Sequence, residues 1–173
     1  MRYAVVTIKR AQYSVLEARL SAPLATIQVL VGPRQVGKTT LIRQILDAIS
    51  IQSFYHTADA AKARDAHWIA QHWAVARAYY ALHKLPVLLC FDEIQKVKGW
   101  SEIVKIFVDE DRYAQRDIRV VLSGSSTLQL ETGLFDSLAG RYEKTVLTHW
   151  TYAECRAAFG VSLETYIRFG GYP

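Results

Sequence analysis

Residues 32–39 read GPRQVGKT and match the pattern GxxxxGK(S/T) at every fixed position. The apolar run IQVLV at 27–31 precedes them, and residues 41–49 follow with the hydrophobic spacing of a helix. A loop of this kind directs backbone N–H groups at phosphate oxygens, while Lys38 reaches the β and γ phosphates and the Thr39 hydroxyl binds Mg²⁺. The pattern therefore predicts a phosphate-binding loop between a strand and a helix.

The glycines of this loop are expected to leave room for phosphate and to accept positive φ angles. The helix that begins at Gly37 directs the positive end of its dipole at the anion. A tight turn that only packs a strand against a helix is the alternative, but it does not account for the complete pattern. The residues predicted to bind nucleotide are Gly32, Pro33, Arg34, Gln35, Val36, Gly37, Lys38, Thr39 and Thr40.

The apolar run VLLCF at 87–91 leads directly into Asp92 and Glu93. Such a run is typical of a strand that is covered on both faces in a parallel sheet, and parallel strands present ligand sites at their carboxyl ends. Asp92 should therefore lie near Lys38 and act on Mg²⁺ directly or through its outer shell, while Glu93 orients an attacking water. A solvated turn is the alternative explanation for Asp92 and Glu93. Taken together with the phosphate loop, however, the pair favours hydrolysis over phosphoryl transfer.

A third apolar run, IRVVL at 118–122, ends in the polar residues SGSS at 123–126. Ser123 or Ser125 is predicted to hydrogen-bond the γ phosphate or the attacking water, and both serines remain candidates. The alternative is that serine and glycine only form the exit turn of the strand.

The rest of the chain continues this alternation of strand and helix patterns. Thr151 to Glu154 has the form of a capping box, which starts a helix. The alternation predicts an α/β fold with a mostly parallel sheet and helices on both faces. The further predicted elements are a leading helix around 15–20, a strand at 53–57, an alanine-rich helix at 60–84, a helix at 100–108, a strand at 144–147 and two final helices before Gly170.

The composition fits one globular domain. The 173 residues are 51% apolar and 21% charged, with 4 prolines and 9 glycines, which excludes a disordered or collagen-like chain. A net charge of +5 favours phosphate-bearing partners in general. Two cysteines cannot form a disulfide framework, and the apolar runs are too short for a signal peptide or a membrane span. We therefore expect a cytoplasmic protein without membrane contacts.

Two other functional patterns are weaker. His67 and His72 are five residues apart, a spacing that does not place zinc ligands on one face of a helix. A set of aromatic and basic residues is a candidate nucleic-acid surface, although such residues in an alanine-rich helix more often pack a core or a subunit interface. The set comprises Lys62, Arg64, Trp68, Trp73, Arg77, Tyr79 and Tyr80.

The segments GPRQVGKTT (32–40), FDEIQK (91–96), LSGSS (122–126) and SLAGRYEKTVLTHWTYAEC (137–155) resemble the prokaryotic AAA+ superfamily ATPases with an AAA_14-type core. The resemblance implies a three-layer P-loop NTPase sandwich, in which a mostly parallel sheet of about five strands has the order 5-1-4-3-2. It also implies ATP rather than GTP as the nucleotide and Mg²⁺ as the cofactor.

The resemblance also assigns roles to single residues. It implies that Lys38 and Thr39 bind phosphate and Mg²⁺, that Asp92 and Glu93 form the Walker B pair, and that one serine of SGSS is a sensor. Arg141 is implied either to neutralise γ-phosphate charge in its own chain or to act on a neighbouring subunit as an arginine finger. A plain surface arginine is an equal alternative.

Both ends of the chain flank this core. Residues near Arg10 are implied to cover the adenine. We expect a leading helix and linker at 1–23, the ATPase core at 24–150, and a helical segment at 151–173 that starts a further domain. FGGYP at 169–173 resembles the junction with the carboxyl-terminal domain of the family, so we expect a shortened chain.

The leading hypothesis is an ATPase core that hydrolyses ATP to ADP and phosphate with Mg²⁺ to drive a change of shape or assembly, with self-association of the chain. The alternative is a nucleotide-gated binding module for DNA or a protein partner, with negligible turnover. A small-molecule kinase is a third and weaker hypothesis, because Glu93 is expected to orient an attacking water and the sequence carries no acceptor-binding lid motif. Slow phosphate release that Glu93→Gln leaves unchanged would favour the binding module.

Overall fold

The computed structural model describes residues 8–22, 26–59, 65–125 and 128–171. Strands and helices alternate through most of this chain, and a short 3₁₀ turn at Ile94–Lys96 follows the third strand. The strands are β1 Ile27–Gly32, β2 Gln52–Thr57, β3 Val87–Asp92, β4 Ile118–Ser125 and β5 Tyr142–Val146. The helices are α1 Gln12–Ser21, α2 Lys38–Ala48, α3 Ala66–His83, α4 Trp100–Tyr113, α5 Leu128–Leu138, α6 Tyr152–Phe159 and α7 Leu163–Phe169.

The 5-stranded sheet has the order β2-β3-β4-β1-β5, and every neighbouring pair is parallel. This is the predicted order 5-1-4-3-2 counted from the opposite edge, so the α/β prediction and the strand order are confirmed. β1 and β3 are buried at every position, as their apolar runs require. Because β1, β4 and β3 are adjacent, the loop after β1 and the polar ends of β3 and β4 meet at one edge.

Helices cover both faces of the sheet, which gives three layers. Successive residues of a strand point to opposite faces, so Val29 and Val31 pack in one cluster with α3, α4 and α5, while Leu30 packs in the other with α1 and α2. Trp73 and Leu138 are examples from the first cluster. The leading helix α1 therefore shares a core with the helix that follows the loop.

The strand β4 is longer than its apolar run. Its predicted end was at residue 122, but Ser123, Gly124 and Ser125 stay in the strand and pair with β1, where Ser123 aligns with Leu30. The two serines are buried, and both hydroxyls find hydrogen-bond partners, so they do not need a turn at the surface. The exit-turn alternative is therefore wrong for both.

Other elements also differ from their predicted bounds. α4 continues beyond the predicted residue 108 to Tyr113, and α5 is a helix that the sequence patterns did not indicate. The alanine-rich helix α3 begins at Ala66, while the first part of its predicted span, residues 60–64, lies outside the described residues. The capping box at Thr151 and Glu154 is present and starts α6, as predicted. None of the helices in the described ranges is long and apolar enough to cross a membrane.

Candidate nucleotide-binding site

An open cleft of about 400 Å³ lies at the carboxyl edge of the sheet. Two of its sides come from segments far apart in the chain, the loop after β1 and the turn after β3. The cleft is therefore built from the elements that the sequence patterns singled out. Its lining residues are Arg34, Gln35, Gly37, Lys38, Thr39, Thr40, Asp59, Glu93 and Lys96.

The two glycines of the loop are required for different structural reasons. Gly37 has a φ of 98° and precedes α2 without any side-chain cap, so the first N–H groups of α2 are open to an anion. A Cβ at Gly32 would overlap the carbonyl oxygen of Leu147. Gly32 is thus required by the close approach of another chain segment, whereas Gly37 is required by a left-handed backbone conformation.

Lys38 is folded back over the loop. Its ammonium group donates hydrogen bonds to the carbonyl oxygens of Gly32 at 3.0 Å and Pro33 at 2.6 Å. Burial lowers the pKa of Lys38, and the nearby carboxylates of Glu93 and Asp92 act in the opposite direction. The Lys38 ammonium group therefore lies at the loop, where phosphate is expected.

Asp92 accepts hydrogen bonds on both oxygens. Oδ2 accepts from the Thr39 hydroxyl at 2.8 Å and from the Tyr55 phenol at 2.7 Å. Oδ1 accepts from the Ser123 hydroxyl and from the backbone N–H of Glu93, the latter at 3.0 Å. Burial alone would raise the pKa of Asp92, but the hydrogen bonds outweigh it and hold the pKa below its usual value. The carboxylate is therefore fixed and ionised beside the loop.

Glu93 follows β3 with a left-handed backbone, φ 56°, and its side chain lines the cleft. Its carboxylate accepts a hydrogen bond from Gln95 Nε2 at 2.8 Å and lies 3.8 Å from Lys96 Nζ. Gln95 Nε2 also donates to the Ser125 hydroxyl at 3.1 Å. The ends of β3 and β4 are thus bridged through one amide group. Of the two candidate serines, Ser123 contacts Asp92, and Ser125 joins the Glu93 side.

Residues 25–156 match the family described as AAA domain. The chain belongs to this family. It is a member of the AAA+ superfamily with a P-loop core, as the sequence resemblance implied. The Orc1 protein of Aeropyrum pernix, solved in complex with DNA, has a similar fold, with a TM-score of 0.60 and 18% sequence identity. The match covers 97% of this chain and 52% of that protein, so this chain spans about half its length. No curated protein sequence is similar enough to match.

Arg141 of the AAA domain lies at the opposite edge of the sheet from the cleft. Its carbonyl oxygen accepts from the N–H of Ile27, the first residue of β1, and its guanidinium pairs with Asp109 at 2.8 Å. The loop begins at the other end of β1, about 17 Å away at the usual rise of a strand. The structure does not bring Arg141 to the γ-phosphate position of its own chain, and a role on a neighbouring subunit stays a prediction.

Arg10, which precedes the matched AAA domain, contacts the loop itself. It is 4% exposed, and its guanidinium donates to the carbonyl oxygens of Val36 at 2.8 Å and Thr148 at 3.1 Å and to Glu154 at 2.7 Å. These contacts use all three nitrogens of the guanidinium, which leaves it poorly placed to cover a base. The prediction that neighbouring residues cover the adenine extends to residues 1–7, which lie outside the described residues.

No sequence pattern assigned a role in the site to Tyr55, Gln95, Asp59 or Lys96, although Asp59 and Lys96 line the cleft. Tyr55 lies on β2, and burial together with its hydrogen bond to Asp92 raises the pKa of the phenol. Gln95 lies in the 3₁₀ turn after Glu93. The sequence carried a signal for Tyr55 only through the implied strand order, which places β2 next to β3.

The candidate nucleic-acid surface on α3 is largely structural where the chain is described. Trp73 is buried and donates to Asp111 at 2.6 Å, and Arg77 pairs with Asp111 at 2.8 Å and Glu110 at 2.9 Å. His72 stacks on His56 with 3.6 Å between ring centroids. Lys62 and Arg64 lie outside the described residues.

Proposed function

We propose that this AAA domain binds ATP with Mg²⁺ in the cleft and hydrolyses it to ADP and phosphate, so that the cycle changes its shape or assembly. The observation that carries the proposal is the 2.8 Å hydrogen bond between Thr39 and Asp92, which joins the phosphate loop to the acidic end of β3. Lys38 lies in the same loop, and Glu93 follows Asp92 directly. A buried acid, a loop cation and an adjacent second acid are the groups that phosphoryl chemistry needs.

The donor set fits Mg²⁺ at Thr39. The Thr39 hydroxyl donates a hydrogen bond to Asp92, and the lone pairs of its oxygen remain for a hard cation. Each Asp92 oxygen already accepts two hydrogen bonds, so we place Asp92 in the outer shell, where it would orient metal-bound water. When bound, Mg²⁺ neutralises charge on the phosphate oxygens.

Glu93 is the residue that we assign to the attacking water. Its carboxylate lines the cleft, and Gln95 donates to one of its oxygens, which fixes its direction. Lys38 would leave the Gly32 and Pro33 carbonyls to contact phosphate oxygens, because a charged acceptor is stronger than a neutral carbonyl. These roles favour water over an organic acceptor.

A calorimetric titration with ATP and with GTP, with and without Mg²⁺, tests binding. We expect Mg²⁺-dependent ATP binding that is lost in Lys38→Ala. Lys98→Ala is the control, because Lys98 is an exposed lysine that follows β3 and its 3₁₀ turn, and it should leave binding unchanged. Phosphate release then tests turnover, and Glu93→Gln should stop release while ATP still binds. Binding that survives Lys38→Ala would show that the site is misplaced.

A nucleotide-gated binding module with negligible turnover is the second candidate. The observation in its favour is that Glu93 is engaged by Gln95 and by Lys96, which itself pairs with Asp59. A carboxylate held in this way is less available to water. DNA is the first partner to test, since the structurally similar Orc1 was solved with DNA. Phosphate release that Glu93→Gln does not change would favour this candidate.

The domain limits also remain proposals. We place the ATPase core at 24–150, with the leading segment before it and the start of a further domain at 151–173. Self-association fits the remaining role for Arg141, whose position at the far edge of the sheet suits contact with another subunit. Sedimentation of the chain with and without ATP and Mg²⁺ tests it, and an Arg141→Ala variant should lose phosphate release only in the assembled form.

A further inference from the structure

The carbonyl oxygen of Val36, in the middle of the phosphate loop, accepts two side-chain hydrogen bonds. Arg10 Nη1 donates at 2.8 Å and Trp150 Nε1 donates at 3.2 Å. The two donors also pack together, with the guanidinium carbon of Arg10 4.9 Å from the centroid of the Trp150 ring. Neither residue belongs to the loop or to a strand, and they are 140 positions apart in the sequence. Two distant segments of the chain therefore donate to the same loop carbonyl.

Arg10 is anchored by the beginning of α6. Its Nε donates to Glu154 at 2.7 Å, and Glu154 also accepts from the backbone N–H of Thr151 at 2.9 Å as part of the capping box. Its Nη2 donates to the carbonyl oxygen of Thr148 at 3.1 Å. The position of Arg10 against the loop therefore depends on the first turn of α6.

Trp150 is anchored by α7 and the residues that follow it. Its backbone N–H donates to the carbonyl oxygen of Gly171 at 3.1 Å, and its own carbonyl oxygen accepts from the Tyr166 phenol at 3.0 Å. The backbone of Gly171 approaches so closely that a Cβ there would overlap the Trp150 carbonyl oxygen. The ring centroid of Phe159, at the end of α6, lies 5.3 Å from the ring centroid of Trp150. Trp150 thus links α6 and α7 to the loop.

The Val36 carbonyl is a sensitive point of the loop. Val36 lies between Gln35, φ 63°, and Gly37, φ 98°, two residues with left-handed backbone. A peptide group is planar, so fixing the C=O of Val36 also fixes the N–H of Gly37, which points the opposite way. Gly37 lines the cleft, and its N–H is among those expected to contact phosphate. The two donors therefore set the direction of a phosphate-binding group.

We propose that Arg10 and Trp150 are positioning residues that hold the phosphate loop in its binding conformation through the Val36 carbonyl, and that they make nucleotide affinity depend on α6 and α7. The part that concerns affinity rests on the function proposed above. Coupling of this kind is reciprocal, so bound nucleotide must also stabilise α6 and α7.

Amide hydrogen exchange of the full chain without nucleotide tests the proposal directly. Trp150→Phe keeps a ring against Arg10 and Phe159 but removes the N–H donor, and Trp68→Phe is the matched control at another half-buried tryptophan. We expect Trp150→Phe to speed exchange of the loop amides at 34–39 by about fivefold and Trp68→Phe to leave them unchanged. Circular dichroism should show that both variants fold and unfold within about 3 °C of each other.

Titration with ATP and Mg²⁺ tests the consequence for binding. Trp150→Phe should weaken ATP binding by about three- to tenfold, and Trp68→Phe should not. In the unsubstituted chain, ATP should slow exchange at 163–169, and Trp150→Phe should reduce that protection.

Three outcomes would contradict these expectations. If Trp150→Phe leaves the exchange of the loop amides unchanged, the positioning role is overturned. Faster loop exchange with unchanged ATP affinity overturns the coupling to binding. Absence of ATP binding by the unsubstituted chain refutes the proposed function, while the exchange measurement still decides the positioning role.

Discussion

Asp92 and Asp111 are two aspartates that are equally buried, each 3% exposed, yet their surroundings differ. Asp111 accepts hydrogen bonds from the Trp73 indole and from two guanidinium groups, those of Arg77 and Arg116 at 2.8 and 2.7 Å. Asp92 accepts from three hydroxyl groups and one backbone N–H, all of them neutral. Two cations donate directly to Asp111, whereas every hydrogen-bond donor to Asp92 is neutral.

This difference separates a structural acid from a candidate functional one. Two guanidinium groups cancel the charge of Asp111, so it joins α3 and α4 and has no charge left to attract a ligand. Hydroxyl groups keep Asp92 ionised without cancelling its charge, so the carboxyl edge of the sheet retains a negative charge for a cation. The kind of donor around a buried acid is therefore more informative than the burial itself.

The strongest test of the comparison is Asp92→Asn. Phosphate release with Mg²⁺ should fall by about 10²–10³-fold, because the charge that orients the metal is lost. Unfolding by urea should change little, since hydroxyl groups can rotate to accept from an amide as well as donate to a carboxylate. Full phosphate release from this variant would remove Asp92 from the site.

Asp111→Asn should have the opposite profile. Loss of the charge leaves two partly buried guanidinium groups without their shared partner, and the free energy of unfolding should fall by about 3 kcal/mol. ATP affinity of the folded protein should stay the same. Asp109→Asn is the control, because its pair with Arg141 is more exposed than the pairs of Asp111 and should matter less. If Asp111→Asn and Asp109→Asn lower the free energy of unfolding in urea by the same amount, the structural role of Asp111 is contradicted.

His56 extends the comparison to a half-buried group that stays neutral at pH 7. Burial, with a smaller effect of His72, lowers the pKa of His56 to about 4 from 6.5. Between these values the unfolded chain binds a proton that the folded protein does not, so stability should fall as the pH drops from 7 to 5, by about 1–2 kcal/mol. Urea unfolding at both pH values checks this. His56→Phe should weaken the dependence and leave the part due to His72, whose pKa burial also lowers, while His67→Gln keeps it.

Tyr55→Phe should give the smallest effect. It removes one of the four donors to Asp92 and leaves the ring in place against Arg43. We expect phosphate release to fall by about fivefold, the equivalent of one hydrogen bond, with an increased requirement for Mg²⁺. Tyr80→Phe serves as the control, because it removes a phenol on α3 that donates to the carbonyl oxygen of Gln115, after α4. Equal activity of the two variants would show that three donors suffice.

The convergence of the loop, Asp92 and Ser123 was predictable from the sequence. Each of three apolar runs ends in polar residues, and parallel packing brings such ends to one edge. The end of β4 was not predictable, because serine and glycine favour turns unless tertiary partners hold them in a strand. Ser123 finds its partner 31 positions away in Asp92, a contact that no local pattern contains.

Arg141 and Tyr55 differ in how well the sequence could place them. Arg141 precedes the last predicted strand, so a parallel sheet puts it at the amino ends of the strands, far from the loop, and its register with Ile27 agrees. Tyr55 belongs to an edge strand with no motif, and only the pairing of β2 with β3 brings its phenol to Asp92. Pairing between strands is a long-range property, so sequence patterns constrain it weakly.

The absence of a side chain at Gly32 controls how closely the chain after β5 can pass the start of the loop. Leu147 donates its N–H to the Val31 carbonyl at 2.7 Å, and its own carbonyl oxygen occupies the space where a Cβ at position 32 would lie. A methyl group there would act as a wedge under residues 147–150 and lift the Trp150 indole from the loop. One missing carbon therefore sets the spacing between the loop and the segment that leads into α6.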